Sequence, residues 1–139
     1  MNTWLFKSEP SSWSWQDQVA EGEAGTGWDG VRNYQASNNM KAMAVGDLGL
    51  FYHSVTEKAI VGIVEVIAPY HPDPTDKTGR FGMVDVKAVK PMARAVTLAE
   101  IKANPLLVDL ALIRQGRLSV LPVAPHHWAE LLRMGETTL

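Results

Sequence analysis

The two apolar segments at residues 48–55 and 59–68 constrain the fold of this chain more than any other feature. Leu48–Val55 is apolar on both of its prospective faces, and Ala59–Ala68 is rich in the β-branched residues that favour strands. Only Thr56, Glu57 and Lys58 separate the two segments, which predicts an antiparallel hairpin. We therefore expect a β-rich domain with antiparallel strands.

Three further segments are expected to form strands. Thr3–Lys7 is a short candidate near the N-terminus, and Leu118–Val123 is the last one along the chain. In Phe81–Val89, apolar residues alternate with Asp85 and Lys87, a pattern typical of a strand with one solvated face.

Capping residues mark the expected helices. Ser14–Asp17 and Thr97–Glu100 both have the spacing of a capping box, and Asn33 is placed to cap a helix that runs to about residue 43. A further helical turn is expected over Leu107–Arg114. Pro125–Met134 begins with proline and is followed by glycine, as helices often are.

The order of these elements predicts an α+β fold. The expected order along the chain is a strand, helices, three antiparallel strands, a helix, a strand and a helix. This order lacks the long βαβ alternation of a doubly wound sheet. Short antiparallel strands with peripheral helices favour a small, partly closed, mainly antiparallel β-barrel. With 139 residues, 46% of them hydrophobic, residues 1–139 are expected to form a single domain.

The composition argues against several kinds of active site. The chain contains no cysteine, which excludes disulfides, thiolate nucleophiles and cysteine-based zinc sites. Its four histidines include no H-x-x-x-H pair, and only His71 near Asp73 gives a weak indication of a metal. There is no phosphate-binding glycine loop and no nucleophile elbow. We expect no metal, no cofactor and no enzymatic activity.

The sequence also shows neither a secretory-signal pattern nor a membrane-span pattern. The N-terminus lacks a basic stretch followed by an apolar run, and no apolar segment reaches the ~18 residues of a membrane span. We expect a cytoplasmic protein without membrane contact; a nucleoid-associated protein would have the same pattern. A monomer is assumed.

Charge is distributed unevenly along the chain. Net charge is −2, yet residues 77–117 carry eight basic and three acidic side chains, whereas residues 1–30 carry one basic and five acidic ones. Such a basic segment forms either a solvated surface or a face for an anionic polymer. If its cations contact phosphates, affinity for an oligonucleotide should fall as salt rises.

Four of the five tryptophans lie within the first 28 residues. Trp13 and Trp15 stand at the boundary of a predicted helix, where a large aromatic side chain usually joins the core. Trp28 lies in a loop with four glycines between residues 22 and 30, where it has little core to fill. We therefore expect Trp28 to face a ligand.

The residues beside Trp28 suit ligand recognition. Gly30 allows a close backbone approach, and Arg32 offers a planar set of donors. Asn33 could read a base edge or cap a helix, and both roles are compatible.

Two strand ends add further candidates. Lys7, Ser8 and Glu9 follow the first strand and form either a pocket rim or an exposed turn. His53 and Ser54 end the strand at 48–55, where a regular strand would point them to opposite faces. From spacing alone, His53 is more typical of a satisfied core residue than of a ligand contact.

Several longer motifs occur in a recognisable order. They are WLFKSEP at 4–10, WDGVRNYQA at 28–36, NNMKAM at 38–43, VGDLGLFYHS at 45–54, IVGIVEV at 60–66, PDPT at 72–75 and RQGRLSVLPV at 114–123. Together they resemble the EVE domain family over essentially the whole chain.

The resemblance implies a PUA-like fold, a small curved β-barrel related to YTH and ASCH domains. It also implies a pocket for a nucleic-acid base, with methylated cytosine and its relatives as the suspected ligands, and hence DNA or RNA as partner. The implied ligand-binding residues are Lys7, Ser8, Glu9, Trp28, Gly30, Val31, Arg32, Asn33, His53, Ser54, Arg117 and Ser119.

This chain departs from the family pattern at the rim of the expected pocket. The loop at 70–82 is short, Phe81 stands where a tryptophan is expected, and Ser37 occupies a position that is often basic. Two alternatives remain open beside base binding. One is an enzyme acting on a nucleotide or modified RNA, with His53 or Glu9 as acid or base; the other is a protein-interaction domain with a vestigial pocket.

The absence of cysteine and of spaced histidine pairs yields a direct test. The protein should keep its fold and its ligand affinity after dialysis against a chelator, as measured by thermal melting and titration. Stoichiometric zinc that survives this dialysis would contradict the prediction.

Overall fold

A six-stranded sheet forms the framework of the computed structural model, which describes residues 1–139. Its strand order is β2-β5-β4-β3-β1-β6. The strands are β1 (Thr3–Ser8), β2 (Thr26–Gly27), β3 (Leu48–His53), β4 (Ala59–Pro72), β5 (Gly82–Thr97) and β6 (Val120–Val123).

Five short α-helices surround the sheet, with single 3-10 turns at Gly22–Ala24 and Pro105–Leu107. None of the helices has the length and apolarity needed to cross a membrane. The helices are α1 (Trp15–Ala20), α2 (Tyr34–Lys41), α3 (Leu98–Ala103), α4 (Ala111–Arg114) and α5 (Pro125–Met134).

The sheet is open, so the predicted barrel closure is wrong, whereas the mixed α+β class is confirmed. Strands β2 and β6 lie at opposite edges and do not pair with each other. Strands β1 and β3 are parallel, while the other neighbouring strands are antiparallel. The segment between β1 and β3 carries α1 and α2 and is long enough for the crossover that a parallel pair requires.

The predicted hairpin of β3 and β4 is present, but the next strand is longer than expected. Strand β5 continues past residue 89 to Thr97 and passes through Pro91. The two-residue strand β2 pairs with β5 only at Asp85 and Val86, so one side of β5 is free at Pro91. A proline is tolerated there because no neighbouring strand needs its missing N–H.

The three predicted helix caps are confirmed, whereas the helical turn expected over Leu107–Arg114 is present only as α4, from Ala111. The Ser14 and Thr97 hydroxyls accept from the backbone N–H groups of Asp17 and Glu100. The Asp17 and Glu100 carboxylates in turn accept from the backbone N–H groups of Ser14 and Thr97, which completes both capping boxes. The Asn33 side chain accepts from the Ala36 N–H at 2.9 Å and so caps α2.

An aromatic cluster occupies the centre of the core. Phe6 of β1 and Phe51 of β3 are adjacent in the parallel register, and both are fully buried. Trp28 packs edgewise against both rings, at centroid distances of 5.1 Å to Phe6 and 5.6 Å to Phe51. The expectation that Trp28 has little core to fill is therefore wrong, because the loop folds back over the sheet.

Trp15 joins this cluster as predicted. It packs edgewise on Phe51 with the ring centroids 5.4 Å apart. Its six-membered ring lies directly over Gly62 of β4, where an added Cβ would come within 2.4 Å of the ring. Glycine at position 62 is thus required by the close approach of the tryptophan.

A buried carboxylate ties the N-terminal strand to the chain before β3. Asp47 accepts from Trp4 Nε1 at 3.0 Å, from the Ala44 N–H at 3.0 Å and from the Asn2 N–H at 3.2 Å. Burial tends to raise the pKa of Asp47, but the hydrogen bonds from Ala44, Trp4 and Asn2 outweigh it and hold the pKa below its ordinary value.

Replacing Trp28 by alanine should destabilise the fold. The substitution empties the space between Phe6 and Phe51, and the expected loss is about 3–5 kcal/mol of unfolding free energy in chemical denaturation. Tyr34→Ala serves as the control, because Tyr34 is 61% exposed and should lose about 1 kcal/mol or less. Equal losses in both variants would contradict the central role of Trp28.

The contribution of Asp47 to stability should depend on pH. Its folded-state pKa lies below the unfolded value, so the stabilisation is complete above about pH 4 and is lost as pH falls through the folded-state pKa. Asp47→Asn should cost about 1.5–3 kcal/mol at neutral pH, and the difference from the native protein should shrink in acid. Asp109→Asn, at an exposed ion pair with Arg114, should show little of either effect.

Candidate functional site

A cavity of about 370 Å³ opens beside the end of β1. We name it the tryptophan cavity, because Trp13 and Trp28 are its two hydrophobic lining residues. Polar groups complete its wall. They come from the end of β1 and the turn after it (Lys7, Ser8, Glu9, Ser12) and from the edge strand β2 and its continuation (Thr26, Gly27, Asp29).

The two tryptophans contribute differently. Trp28 is 7% exposed and forms a buried part of the wall, whereas Trp13 is only half-buried. The expectation that Trp13 is a core residue is met only in part, because Trp13 packs against the core and also lines the cavity. The exposed part of Trp13 is therefore the aromatic surface that a ligand could reach.

A chain of hydrogen bonds fixes the orientation of the Trp13 ring. Its Nε1 donates to Gln18 Oε1 at 2.9 Å, and Gln18 Nε2 donates to the Val86 carbonyl of β5 at 3.1 Å. Gln18 is completely buried. The partly exposed indole is thus anchored to the sheet before any ligand arrives.

The backbone after β1 forms a tight turn beneath the cavity. The Glu9 carbonyl accepts from the N–H groups of Ser12 and Trp13, both at 2.9 Å. The Ser8 hydroxyl donates to the Trp13 carbonyl at 2.5 Å, which leaves the Ser8 oxygen able to accept a further bond. Lys7, Ser8 and Glu9 therefore lie at a cavity wall, which is one of the two arrangements that the sequence left open.

A second cavity, of about 570 Å³, adjoins the first. We name it the basic cleft, because it is lined by Lys7, Lys58, Lys102 and Arg117. Lys7 and Glu9 line both cavities. Among the predicted site residues, Ser54, Arg117 and Ser119 lie in this cleft and not in the tryptophan cavity.

Burial changes the acidity of two groups in the basic cleft. Burial lowers the pKa of the Lys7 ammonium, whose Nζ donates to the Gly116 carbonyl at 2.7 Å. Burial raises the pKa of the Tyr52 hydroxyl, which therefore stays protonated at neutral pH and can donate.

The predicted segment from Gly30 to Asn33 lines neither cavity. The Gly30 N–H donates to Asp73 Oδ2 at 2.9 Å, and the Arg32 guanidinium donates to the same oxygen at 3.1 Å. Val31 is buried, and Asn33 caps α2. These residues hold the loop after Trp28 in place; the structure gives them no direct contact with the tryptophan cavity.

The loop after Trp28 depends on Asp73, which bonds to both Gly30 and Arg32. The sequence alone indicated only a weak metal role for Asp73. Its side chain is fully buried and also accepts from the Thr75 N–H at 2.8 Å. Burial tends to raise the pKa of Asp73, but hydrogen bonds from Thr75, Gly30 and Arg32 keep it below its ordinary value. The PDPT motif was the available signal, since Asp-x-Thr favours such a turn.

His53 lies outside both cavities and has partners at both ring nitrogens. Its Nε2 accepts from the Trp15 N–H at 3.1 Å, and Nδ1 lies 3.3 Å from Glu57 Oε2. The side chain is 4% exposed. His53 is therefore buried with its hydrogen-bonding groups paired, and its bond with the Trp15 N–H supports the start of α1.

His71 and Asp73, the weak metal indication in the sequence, have different hydrogen-bond partners. His71 Nε2 lies 2.8 Å from Asp85 Oδ1, away from the contacts of Asp73 with Gly30 and Arg32. No group of three histidine, aspartate or glutamate side chains lies close enough to hold a metal ion.

Sequence reasoning missed several cavity residues. Ser12, Thr26 and Asp29 reach the tryptophan cavity, and Tyr52, Lys58 and Lys102 reach the basic cleft. Only the adjacency of Trp13 to the KSE motif could have signalled the first group. Nothing local marks Lys58 and Lys102. They come together because the start of α3 lies against the β3–β4 turn, where the Leu98 N–H donates to the Lys58 carbonyl at 2.9 Å.

The chain matches a family model and known relatives over nearly all of its length. The EVE domain model matches residues 2–134. Human thymocyte nuclear protein 1 is 32% identical over 166 residues, covering 96% of this chain and 73% of the relative.

Solved structures extend the similarity to the fold. A protein of Agrobacterium tumefaciens is 50% identical with a TM-score of 0.96, covering 99% of this chain and 94% of that one. Human THYN1 in complex with 5-methylcytosine containing DNA is 31% identical with a TM-score of 0.91, and the match covers 100% of both chains.

A more distant structure shares the fold alone. The YTH domain of a Zygosaccharomyces rouxii protein, in complex with N6-methyladenosine RNA, reaches a TM-score of 0.59 at 15% identity, covering 99% of this chain and 86% of that one. The family model that matches residues 2–134, together with relatives more than 30% identical over nearly the whole chain, shows that this chain belongs to the EVE domain family.

Proposed function

We propose that this protein is a nucleic-acid-binding module that holds one modified base in the tryptophan cavity. The observation that carries the proposal is the half-buried Trp13 ring, anchored through Gln18 beside the buried Trp28 and open to a cavity with polar walls. A cavity of about 370 Å³ lies at the small end of the range for ligand sites, about 300–1,000 Å³. That size suits a single planar ring.

The cavity offers both the attraction and the selectivity that base recognition needs. Stacking on an aromatic side chain contributes about 1–3 kcal/mol per base, whatever the base. Selectivity must come from polar groups that the wrong base would leave unpaired. Ser8, Thr26 and Asp29 supply hydroxyl and carboxylate groups around the cavity. Asn33 and His53 are engaged elsewhere, so we assign the reading of the base edge to this set.

The relatives support a methylated base as the ligand. Human THYN1, 31% identical to this chain, has been solved with DNA containing 5-methylcytosine. The YTH domain that shares the fold has been solved with RNA containing N6-methyladenosine. A base in a duplex would have to leave the stack, at a cost of a few kcal/mol, so single-stranded or weakly paired sites should bind best.

A PUA-like classification is part of the same proposal. The likeness to the YTH domain, with a TM-score of 0.59, supports it, although the sheet has two free edges.

A binding role is preferred over the enzymatic alternative. The enzymatic hypothesis used His53 or Glu9 as acid or base. His53 has partners at both ring nitrogens and lies outside the cavities, and exposed Glu9 has no histidine beside it at either cavity wall. A general base needs a hydrogen-bonded path to the reacting group. No lining residue has such a paired arrangement.

Replacing Trp13 by alanine should weaken binding in a protein that still folds, with a moderate loss of stability because buried Gln18 loses its hydrogen-bond donor. We expect a loss of about 1–3 kcal/mol, or about 5- to 150-fold in Kd, for a single-stranded oligonucleotide carrying one 5-methylcytosine. The measurement is a fluorescence-anisotropy titration alongside a thermal melt. Tyr34→Ala is the matched control, since it removes an exposed aromatic that lines neither cavity.

Two results would count against the proposal. Unchanged affinity in a folded Trp13→Ala variant would remove the stacking role. Equal affinity for methylated and unmethylated oligonucleotides would leave general nucleic-acid binding and remove the recognition of a modified base.

A further inference from the structure

We propose that the basic cleft binds the phosphodiester backbone that flanks the base held in the tryptophan cavity. This inference rests on the proposed function and adds a polymer-binding site to it. It also explains how a protein with a net charge of −2 could attract a nucleic acid.

The cleft concentrates positive charge from distant parts of the chain. Lys7 comes from β1, Lys58 from the β3–β4 turn, Lys102 from α3 and Arg117 from the segment before β6, and all four line one cavity with Glu9 as its only acidic residue. Grouped cations surrounded by low-dielectric walls raise the local potential even on an acidic protein.

These cations are free to bind a ligand. Lys58, Lys102 and Arg117 form no ion pair within the protein, and Lys7 uses one of its protons on the Gly116 carbonyl. Three other members of the basic segment are held in ion pairs. Lys87 pairs with Glu23 at 2.7 Å, Arg114 pairs with Asp109 at 2.8 Å, and Arg94 pairs with Glu100.

The position of the cleft matches the connectivity of a nucleotide. Lys7 and Glu9 line both cavities, so the base site and the charged site meet at the end of β1. A base inserted beside Trp13 and Trp28 would leave its sugar and phosphate near that shared wall. The backbone could then continue past Lys7 into the cleft.

The lining favours a phosphodiester over a bare anion. Tyr52, Ser54 and Ser119 supply hydroxyl groups, while Leu112 and Ile113 supply apolar surface. Placing a free, multiply charged phosphate against apolar atoms carries a large desolvation cost. A diester has a single charge per unit and presents the hydrocarbon surface of its sugar.

The test compares two matched double variants in salt titrations. Lys102→Ala with Arg117→Ala removes one lysine and one arginine from the cleft, and Lys77→Ala with Arg80→Ala removes the same pair from the exposed loop before β5. All four side chains are exposed, so both variants should fold, as thermal melting would verify. The probes are a single-stranded hexanucleotide with one central 5-methylcytosine and the free nucleoside 5-methyl-2′-deoxycytidine.

The cleft variant should bind the hexanucleotide more weakly and with a shallower salt dependence. Each lost phosphate contact reduces the slope of log Kobs against log salt by about 0.7, so two contacts should reduce it by about 1.4. The loop variant should keep the native slope, and both variants should keep the native affinity for the nucleoside. Lys58→Ala alone should reduce the slope by about half as much as the double cleft variant.

The possible failures are distinguishable. A native slope in the cleft variant, or an equal decrease in the loop variant, would overturn the cleft as the backbone site. A matching loss of affinity for the nucleoside would make the cleft part of the base site and overturn the assignment to backbone. Failure of the native protein to bind either probe would instead overturn the proposed function.

Discussion

The packing of Trp28 against Phe6 and Phe51 is the interaction on which the rest of the structure depends. It bridges the parallel strands β1 and β3 and holds the glycine-containing loop against them. Edgewise aromatic contacts add a directional preference to the burial of large apolar surfaces. The same contact places one wall of the tryptophan cavity, so the stability of the core and the shape of the site are coupled.

Around this cluster, buried polar groups hold the surrounding loops in position. Asp73 holds the chain after Trp28 through Gly30 and Arg32, and His53 supports the start of α1. Gln18 of α1 orients Trp13 and is itself held by the Val86 carbonyl of β5. A buried hydrogen-bonding group left unpaired is expensive, so each of these contacts defines one arrangement of its loop. The site is thereby preorganised, which limits the ordering entropy that a ligand must overcome.

The twelve residues implied by the family resemblance divide into contact and support groups in this fold. Lys7, Ser8, Glu9, Trp28, Ser54, Arg117 and Ser119 line a cavity, while Gly30, Val31, Arg32, Asn33 and His53 surround it without lining it. A motif conveys that residues belong near a site. It does not convey which side chain faces the ligand, because that depends on the path of the backbone between Trp28 and α2.

Local sequence was sufficient for the hairpin of β3 and β4, the two capping boxes, the Asn33 cap and the final helix, because each depends on contacts within a few residues. Only tertiary structure decided that the sheet is open and that β1 pairs in parallel with β3. It also decided that Trp28 is buried while Trp13 is partly exposed. These features depend on which distant segments pack together, since exposure of a side chain is set by its neighbours in space. The four cations of the basic cleft make the same point: they are scattered from residue 7 to residue 117, and only folding brings them to one cavity.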